Sequence, residues 1–333
     1  MMLPMGKLRV IFEDGQIVIV DKPAGLVVNR SETIKEETLQ DQIEQYLQIR
    51  STKHEIRNKF KIQNSNFQNG FEFRNSDFEF INRAGIVHRL DRETSGLLVV
   101  AKTQKAFENL QNQFKERKVS KEYKALVHGF LKEKEGNIES KIARIGKFGK
   151  FGVVLNRRSA RIFSPDGSIP FVKRVEGREA RTDYEVNSLF KISDEKFAQL
   201  VYSSSESGKA GRIEKFPLSS SRLGSNNIKL LTKAGINYLK LNAREYSLLA
   251  VFPRTGRTHQ IRVHLKSIGH PVVSDLIYAP RKLLKFDRLW CGRLFLHAKS
   301  LEFEHPKTGK MVKFTSDLPN DLKEALDCLT TDN

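Results

Sequence analysis

Short apolar runs separated by turn residues restrict the folds that this sequence can adopt more than any other feature. Residues 8–12 and 17–20 are two such runs, and the Glu-Asp-Gly-Gln tetrapeptide between them is typical of a strand–turn–strand unit. Further strands are predicted at residues 97–101, 119–129, 181–190, 244–252, 295–303 and 310–314. Because few helices lie between these strands, we expect an α+β fold with a mixed, largely antiparallel sheet flanked by helices.

Helices are predicted where apolar residues recur every three or four positions. This period occurs in residues 38–47, 104–117 and 258–268, and a further short helix is expected after Pro319. In the third of these helices we expect Ile261, Leu265 and Ile268 to face inward, with Thr258 as the N-cap.

Two segments show no sustained period, and we interpret both as insertions. Residues 51–84 combine Asn, Lys, Gln and Ser with scattered Phe, and residues 203–225 are rich in Ser, Gly and Lys. We expect a single catalytic domain over residues 1–333, with insertions at 51–84 and 203–229.

The charge balance indicates a polyanionic partner. The chain has 58 Lys and Arg residues against 39 Asp and Glu residues, a formal net charge of +19. Such a balance favours nucleic acid or an anionic membrane surface, although a merely lysine-rich, soluble surface gives the same count. The apolar runs are too short to cross a bilayer, and Cys291 and Cys328 suggest a reducing compartment, so we expect a cytoplasmic protein without a membrane partner.

A cluster of charged residues lies directly before the buried run at 97–101. Residues 88–92 read His-Arg-Leu-Asp-Arg, and an ionised carboxylate beside cations is what a nucleophile or general base requires. Asp91 is therefore a candidate catalytic residue, and His88 and Arg89 are its cationic neighbours. A structural ion pair at a strand edge remains the alternative.

Two further motifs combine basic residues with a polar or aromatic side chain. In residues 254–265, Gly256 allows a tight turn into a helix, and Arg257 and Arg262 could hold phosphates or a carboxylate. Tyr123 lies among lysines on a predicted strand and could stack on a base. The alternatives are a solvated basic helix face for the first motif and a core or edge aromatic for the second.

Metal binding is not expected from the histidines of the second motif. His259 and His264 are five positions apart, so they are turned roughly 140° from each other on a helix, whereas the helical zinc pattern needs four.

The order of these motifs along the chain resembles the RluA-like family of RNA pseudouridine synthases, in a form without the N-terminal S4 domain. The resemblance covers residues 17–26, 85–102, 117–129, 180–184, 255–265, 269–272 and 294–298, together with Asp275 and Tyr278. It implies a pseudouridine synthase-type fold with a central active-site cleft. It also implies roles for single residues: Asp91 as the essential aspartate, Arg89 as the arginine that enters the RNA stack, Tyr123 under the base, Arg262 as the partner of the catalytic carboxylate, and Leu296 or Leu294 against the uracil. With Arg89, His88 and Arg257 are the expected RNA-binding residues.

The reaction that this resemblance implies is the isomerisation of uridine to pseudouridine in structured RNA, either rRNA or tRNA. It requires no cofactor and no metal, and we expect a monomer. Two alternatives belong to other classes of protein. An RNA-binding or RNA-folding module would not need Asp91, and a metal-dependent nuclease built from the C-terminal histidines would need better ligand spacing.

Overall fold

A computed structural model describes residues 8–47, 83–145, 150–154, 176–206 and 233–332. The chain divides into two compact units. The first contains Met1–Lys121 and Ala298–Ser316, and the second contains Glu122–His297 and Asp317–Asn333.

Strands and helices alternate irregularly along the described chain. The strands are β1 (Val10–Glu13), β2 (Ile17–Lys22), β3 (Ser95–Ala101), β4 (Ser120–His128), β5 (Glu135–Arg144), β6 (Phe151–Val154), β7 (Arg178–Lys191), β8 (Glu245–Pro253), β9 (Leu296–Glu304), β10 (Met311–Thr315) and β11 (Thr330–Thr331). The helices are α1 (Leu39–Tyr46), α2 (Gln104–Lys115), α3 (Asp194–Glu206), α4 (Lys233–Asn242), α5 (Gln260–Ser267), α6 (Arg281–Asp287) and α7 (Asn320–Asp327).

The sheet of the first unit has the order β1-β2-β3-β9-β10. Strands β2 and β3 pair antiparallel and are buried along their whole length, which explains their almost continuous apolar sequence. Helix α2 places Phe107 and Leu110 in one apolar cluster with Leu97 and Val99 of β3. Gly96 has φ +115°, and a Cβ there would lie 2.3 Å from a backbone oxygen of β9, so only glycine fits at this point of the sheet.

The sheet of the second unit has the order β4-β8-β7-β5-β6, and β11 also pairs with β7. The β4–β8, β7–β8, β5–β7 and β5–β6 pairs are all antiparallel. Ile261 and Leu265 of helix α5 pack in one cluster with Leu249 and Val251 of β8. The sheet and this cluster hold α5, and with it the basic motif of residues 254–265, in a defined position.

The sequence-based strands and helices are largely confirmed. The predicted N-terminal strand pair is β1 and β2, which pair antiparallel, and Thr38 caps α1 by accepting a hydrogen bond from the Asp41 N–H. Three helices and three strands in the described part were not predicted: α3, α4, α6, β5, β6 and β11.

The N-terminus of α5 differs from the prediction. Its N-cap is His259 and not Thr258, and His259 has φ 54° with no side-chain cap hydrogen bond. A Cβ at Gly256 would meet no other atom within 4 Å, so the left-handed residue His259, rather than a glycine, makes the turn. Ile268, predicted to face inward, is 39 % exposed because the helix ends at Ser267.

Most of both predicted insertions lies outside the described residues. Of 51–84, the structure describes only residues 83 and 84, which lie in a turn; of 203–229, it describes only residues 203–206, which end α3 instead of beginning a loop. In the ranges that the structure does describe, no helix is both long and apolar enough to cross a membrane.

Two neutral histidines make the folded protein sensitive to acid. Burial lowers the pKa of His264 to about 4, and its ring nitrogens contact the hydroxyls of Thr182 and Ser140 at 2.8 and 3.0 Å. Burial, and then the charge of Lys121, lower the pKa of His88 to about 3. Between these values and the ordinary value near 6.5, the unfolded chain binds protons that the folded chain does not.

We therefore expect the free energy of unfolding to fall as the pH decreases from 6.5 towards 4. Each histidine contributes at most about 1.4 kcal/mol per pH unit. Urea unfolding at pH 7, 6 and 5 measures this slope. The amide of the His264→Gln variant can hydrogen-bond both hydroxyls but does not titrate. In this variant the free energy of unfolding should therefore change less with pH, by the contribution of His264. An unchanged pH dependence in that variant would show that His264 does not contribute to the acid sensitivity of the fold.

Candidate active site

The loop of residues 85–94, which carries Asp91, is fixed to strand β3 at its first residue. The Ala101 N–H donates a hydrogen bond to the Gly85 carbonyl oxygen at 2.9 Å. Gly85 has φ +76°, and a Cβ there would lie 2.0 Å from the Ala101 carbonyl oxygen. Only glycine fits this approach, so the loop leaves the sheet at a defined point.

The other end of the loop is held by a buried lysine. Lys22 is fully buried, and its Nζ donates hydrogen bonds to the carbonyl oxygens of Pro23, Leu26 and Arg92 at 2.8, 2.9 and 3.1 Å. Carbonyl oxygens thus replace the water that an ammonium loses on burial. Because Arg92 directly follows Asp91, Lys22 fixes the backbone beside the candidate catalytic carboxylate.

We expect the Lys22→Met variant to be about 3 kcal/mol less stable, because three carbonyl oxygens lose the charged donor that Lys22 provides. Pseudouridine formation should also slow, since the backbone at Arg92 is released. Urea unfolding and initial rates would measure the two effects. Lys115→Met is the matched control, because Lys115 is exposed at the end of α2, and its stability should change little. Equal stabilities of the two variants would show that Lys22 does not hold the loop.

Inside the loop, neighbouring residues differ in burial. Leu90 is buried, while Asp91 is half-buried and its backbone carbonyl accepts a hydrogen bond from the Thr94 N–H at 3.1 Å. Arg89 is exposed, and it makes no hydrogen bond or ion pair with any residue that the structure describes. The buried leucine anchors the loop, and the guanidinium of Arg89 is available to an external ligand.

His88 has a structural contact that its sequence position did not suggest. Its Nε2 accepts a hydrogen bond from the Val99 N–H at 3.1 Å, and its ring stacks on Phe114 with centroids 4.6 Å apart. An Nε2 that accepts carries no proton, which agrees with the lowered pKa and a neutral ring. His88 therefore supports the loop by packing, and its predicted contact with RNA stays a prediction.

In the second unit, Gln260 organises the basic turn at residues 254–259. Its Oε1 accepts hydrogen bonds from the Thr255 hydroxyl at 2.6 Å and from the Arg257 N–H at 3.0 Å. Its Nε2 donates to the Arg181 carbonyl oxygen at 2.9 Å. Gln260 was not among the predicted site residues, because a glutamine at the start of a helix has no distinctive sequence pattern.

Two arginines of this turn contact neighbouring residues of strand β7. Arg257 is half-buried, and its Nε donates to the Glu179 carbonyl oxygen at 3.1 Å. Arg254 and Arg181 both pair with Asp183, at 2.6 and 3.0 Å. Burial by itself would raise the pKa of Asp183, but the hydrogen bonds from the two arginines hold it below its ordinary value.

Arg262 forms a buried, two-point ion pair. Its Nε and one Nη lie 2.8 and 2.7 Å from the two carboxylate oxygens of Asp275, and both side chains are buried. The guanidinium carbon also lies 5.2 Å from the centre of the Tyr278 ring. The predicted pairing of Arg262 was with Asp91, which belongs to the other compact unit, and that pairing stays a prediction.

The remaining predicted site residues share one apolar cluster of the second unit. Leu294 and Leu296 are buried in the cluster that contains Ile261 of α5, and the half-buried Tyr123 packs against it. Strand β4 thus presents Tyr123 beside the leucines predicted to contact uracil. Among the residues that the structure describes, no three His, Cys, Asp or Glu side chains are grouped as metal ligands would be.

The fold is that of pseudouridylate synthase domains. The structure of human RNA pseudouridylate synthase domain containing 1 superposes with a TM-score of 0.56 at 22 % identity, covering 99 % of this chain and 92 % of the human chain. The model of the RNA pseudouridylate synthase family matches residues 16–267, and the chain belongs to that family. The protein is accordingly an RNA pseudouridine synthase, an isomerase that acts on RNA.

Two bacterial relatives match almost the whole chain. An uncharacterized RNA pseudouridine synthase of Bacillus subtilis, YlyB, is 29 % identical over 97 % of this chain and 73 % of its own length. The ribosomal large subunit pseudouridine synthase D of Nitrosomonas europaea is 30 % identical over 97 % of this chain and 65 % of its own length.

Proposed function

We propose that this protein isomerises specific uridines of large-subunit ribosomal RNA to pseudouridine, in the cytoplasm and as a monomer, with Asp91 as the catalytic residue. The observation that carries the choice of RNA is the 30 % identity, over 97 % of this chain, to a relative named as a ribosomal large subunit pseudouridine synthase. Transfer RNA is the alternative substrate. The net charge of +19 is consistent with either RNA.

The reaction is an isomerisation in which no atom is gained or lost overall. The bond between N1 of uracil and C1′ of ribose breaks, the base turns over, and C5 bonds to C1′. The proton that leaves C5 is balanced by the proton that N1 gains. The chemistry requires a carboxylate that attacks or removes a proton, and Asp91 on its anchored loop is the group we propose for that step.

The neighbouring side chains are proposed to expose and hold the target nucleotide. A base must leave its stack before it can react, which costs a few kcal/mol. The exposed Arg89 would take the space that the base leaves, and the ring of Tyr123 would stack on the extruded uracil. Leu296, or Leu294, would contact the other side of the base, while His88 and Arg257 would bind the RNA near it.

Arg262 is proposed to pair with Asp91 in addition to Asp275. A guanidinium has five N–H donors, and the hydrogen bonds to Asp275 use two of them. We also propose that residues 1–333 form one catalytic domain, with insertions at 51–84 and 203–229.

The experiment that tests this function maps pseudouridines in total RNA. Cells that lack the gene are compared with the same cells given the wild-type gene or the Asp91→Asn variant. The proposal expects a pseudouridine in large-subunit ribosomal RNA that disappears on deletion and returns only with the wild type. A site in transfer RNA that behaves in this way would correct the substrate. If no site changes, an RNA-binding role without catalysis becomes the better account.

A further inference from the structure

Lys121 is a half-buried cation without an ionic partner in the described part of the chain. It is the second residue of β4, and it makes no hydrogen bond or ion pair with any described residue. Its neighbours on the strand differ from it in this respect. Lys124 pairs with Glu122 at 3.2 Å, and successive side chains of a strand point to opposite faces, so that pair lies on the face away from Lys121.

The position of Lys121 relates it to the proposed catalytic groups. Val119, two residues before Lys121, packs in the same buried apolar cluster as Val87, which directly precedes His88 and lies four residues before Asp91. In agreement with this, the charge of Lys121 helps to lower the pKa of His88. Because residues two apart share a face of a strand, Lys121 also lies on the same face of β4 as Tyr123. Lys121 thus follows a residue that packs with the start of the Asp91 loop, and it shares its face of β4 with Tyr123.

A charged group that loses water without gaining a partner is costly to the folded protein. Burial lowers the pKa of Lys121 to about 8, and among the described residues no acceptor offsets that effect. Lys22 shows the opposite arrangement, since three carbonyl oxygens accept hydrogen bonds from its buried ammonium. A buried lysine with a structural role is expected to have hydrogen-bond acceptors, as Lys22 has. A half-buried lysine without such acceptors in the described part of the chain is expected to bind a ligand.

We propose that Lys121 is a substrate-binding residue that takes a phosphate group of the bound RNA beside the loop of Asp91. Phosphates are the anions of RNA, and an ammonium already stripped of much of its water binds an anion with little further desolvation. The inference rests on the proposed function, because it names a further contact of that site. His88 stays neutral through the pH range concerned, so its titration does not contribute to the pH dependence of binding.

The test compares Lys121→Met and Lys121→Arg with the wild type, using an unmodified transcript of large-subunit ribosomal RNA as the probe. For Lys121→Met we expect RNA binding weaker by roughly tenfold or more. The slope of log affinity against log salt should be smaller by roughly 0.7 to 0.9, as for the loss of one phosphate contact. The melting temperature of this variant should be equal to or above that of the wild type, because an unpaired, desolvated charge is removed.

The pH dependence of binding gives a second, independent result. The wild type should bind the transcript more weakly as the pH rises through about 8, where Lys121 loses its proton. Lys121→Arg should bind well and lack this decrease, because an arginine keeps its charge. Lys118→Met is the matched control: it removes one positive charge three residues away, but Lys118 is exposed and paired with Glu116 at 2.6 Å.

Specific outcomes would overturn the proposal. A lower melting temperature with unchanged binding would make Lys121 a structural residue. Weaker binding with an unchanged salt slope would assign the lysine to a neutral acceptor, such as a uracil carbonyl, and not to a phosphate. Binding is measured separately from pseudouridine formation. If the wild type forms no pseudouridine in this transcript, the proposed substrate fails, while the comparison of Lys121 variants still decides this contact.

Discussion

The Asp91→Asn variant is expected to form pseudouridine at least about a thousandfold more slowly than the wild type, since the group proposed to react is removed. Asparagine has nearly the same size as aspartate, and the hydrogen bond from the Thr94 N–H reaches the backbone carbonyl of residue 91 and not its side chain. The loop should therefore keep its shape. Single-turnover rates on the RNA identified by mapping measure the effect, and RNA affinity should change only slightly.

Glu93→Gln is the matched control for this variant. Glu93 is a half-buried carboxylate of the same loop, two residues after Asp91, and it lies 3.9 Å from Arg92 in a weak ion pair. Its replacement removes the same charge from the same loop and should leave the rate within a few-fold of the wild type. If both variants lost activity equally, the loss would be caused by the missing negative charge of the loop and not by the removal of a reacting group. If Asp91→Asn remained active, Asp91 would not be the reacting group.

The buried strands were the easiest part of the fold to predict. Strands β2 and β3 are covered on both faces, so their sequences are almost uninterrupted apolar runs that no helix period matches. Strand β5 was not predicted because only Ile138, Ile142 and Ala143 of its ten residues are buried, so its sequence EGNIESKIAR has neither an apolar run nor a regular alternation. Helix α6 has only seven residues, which is too short for a helical period to be recognised.

The site was predictable in its residue types and only partly in its contacts. A carboxylate between arginines at 88–92 pointed to Asp91 without a structure. The pairing of Arg262 with Asp275 could not be derived from spacing, because the two residues are thirteen positions apart and belong to a helix and a loop. Lys22 lies seventy positions from Arg92, so its role depends on the pairing of β2 with β3, which no local pattern encodes.

Breaking the buried pair of Arg262 and Asp275 should cause the largest loss of stability of any change proposed for the second unit. Asp275 also accepts backbone hydrogen bonds from Ile277 and Tyr278, at 2.9 and 3.0 Å. Removing one partner of such a pair leaves an uncompensated buried charge, which costs about 3 to 5 kcal/mol. We expect a loss of this size for Arg262→Met and for Asp275→Asn, measured as the free energy of unfolding in urea.

The double variant measures the interaction between Arg262 and Asp275 apart from their contacts with other residues. When both charges are removed together, neither is left unpaired, so the loss in the Arg262→Met, Asp275→Asn double variant should be smaller than the sum of the single losses by about 2 kcal/mol. Arg254→Met is the control, since the pair with Asp183 involves an exposed arginine and should contribute about 1 kcal/mol or less. Additive losses would mean that each residue acts through other contacts. A double variant that recovers stability without recovering activity would place Arg262 in the reaction as well as in the fold.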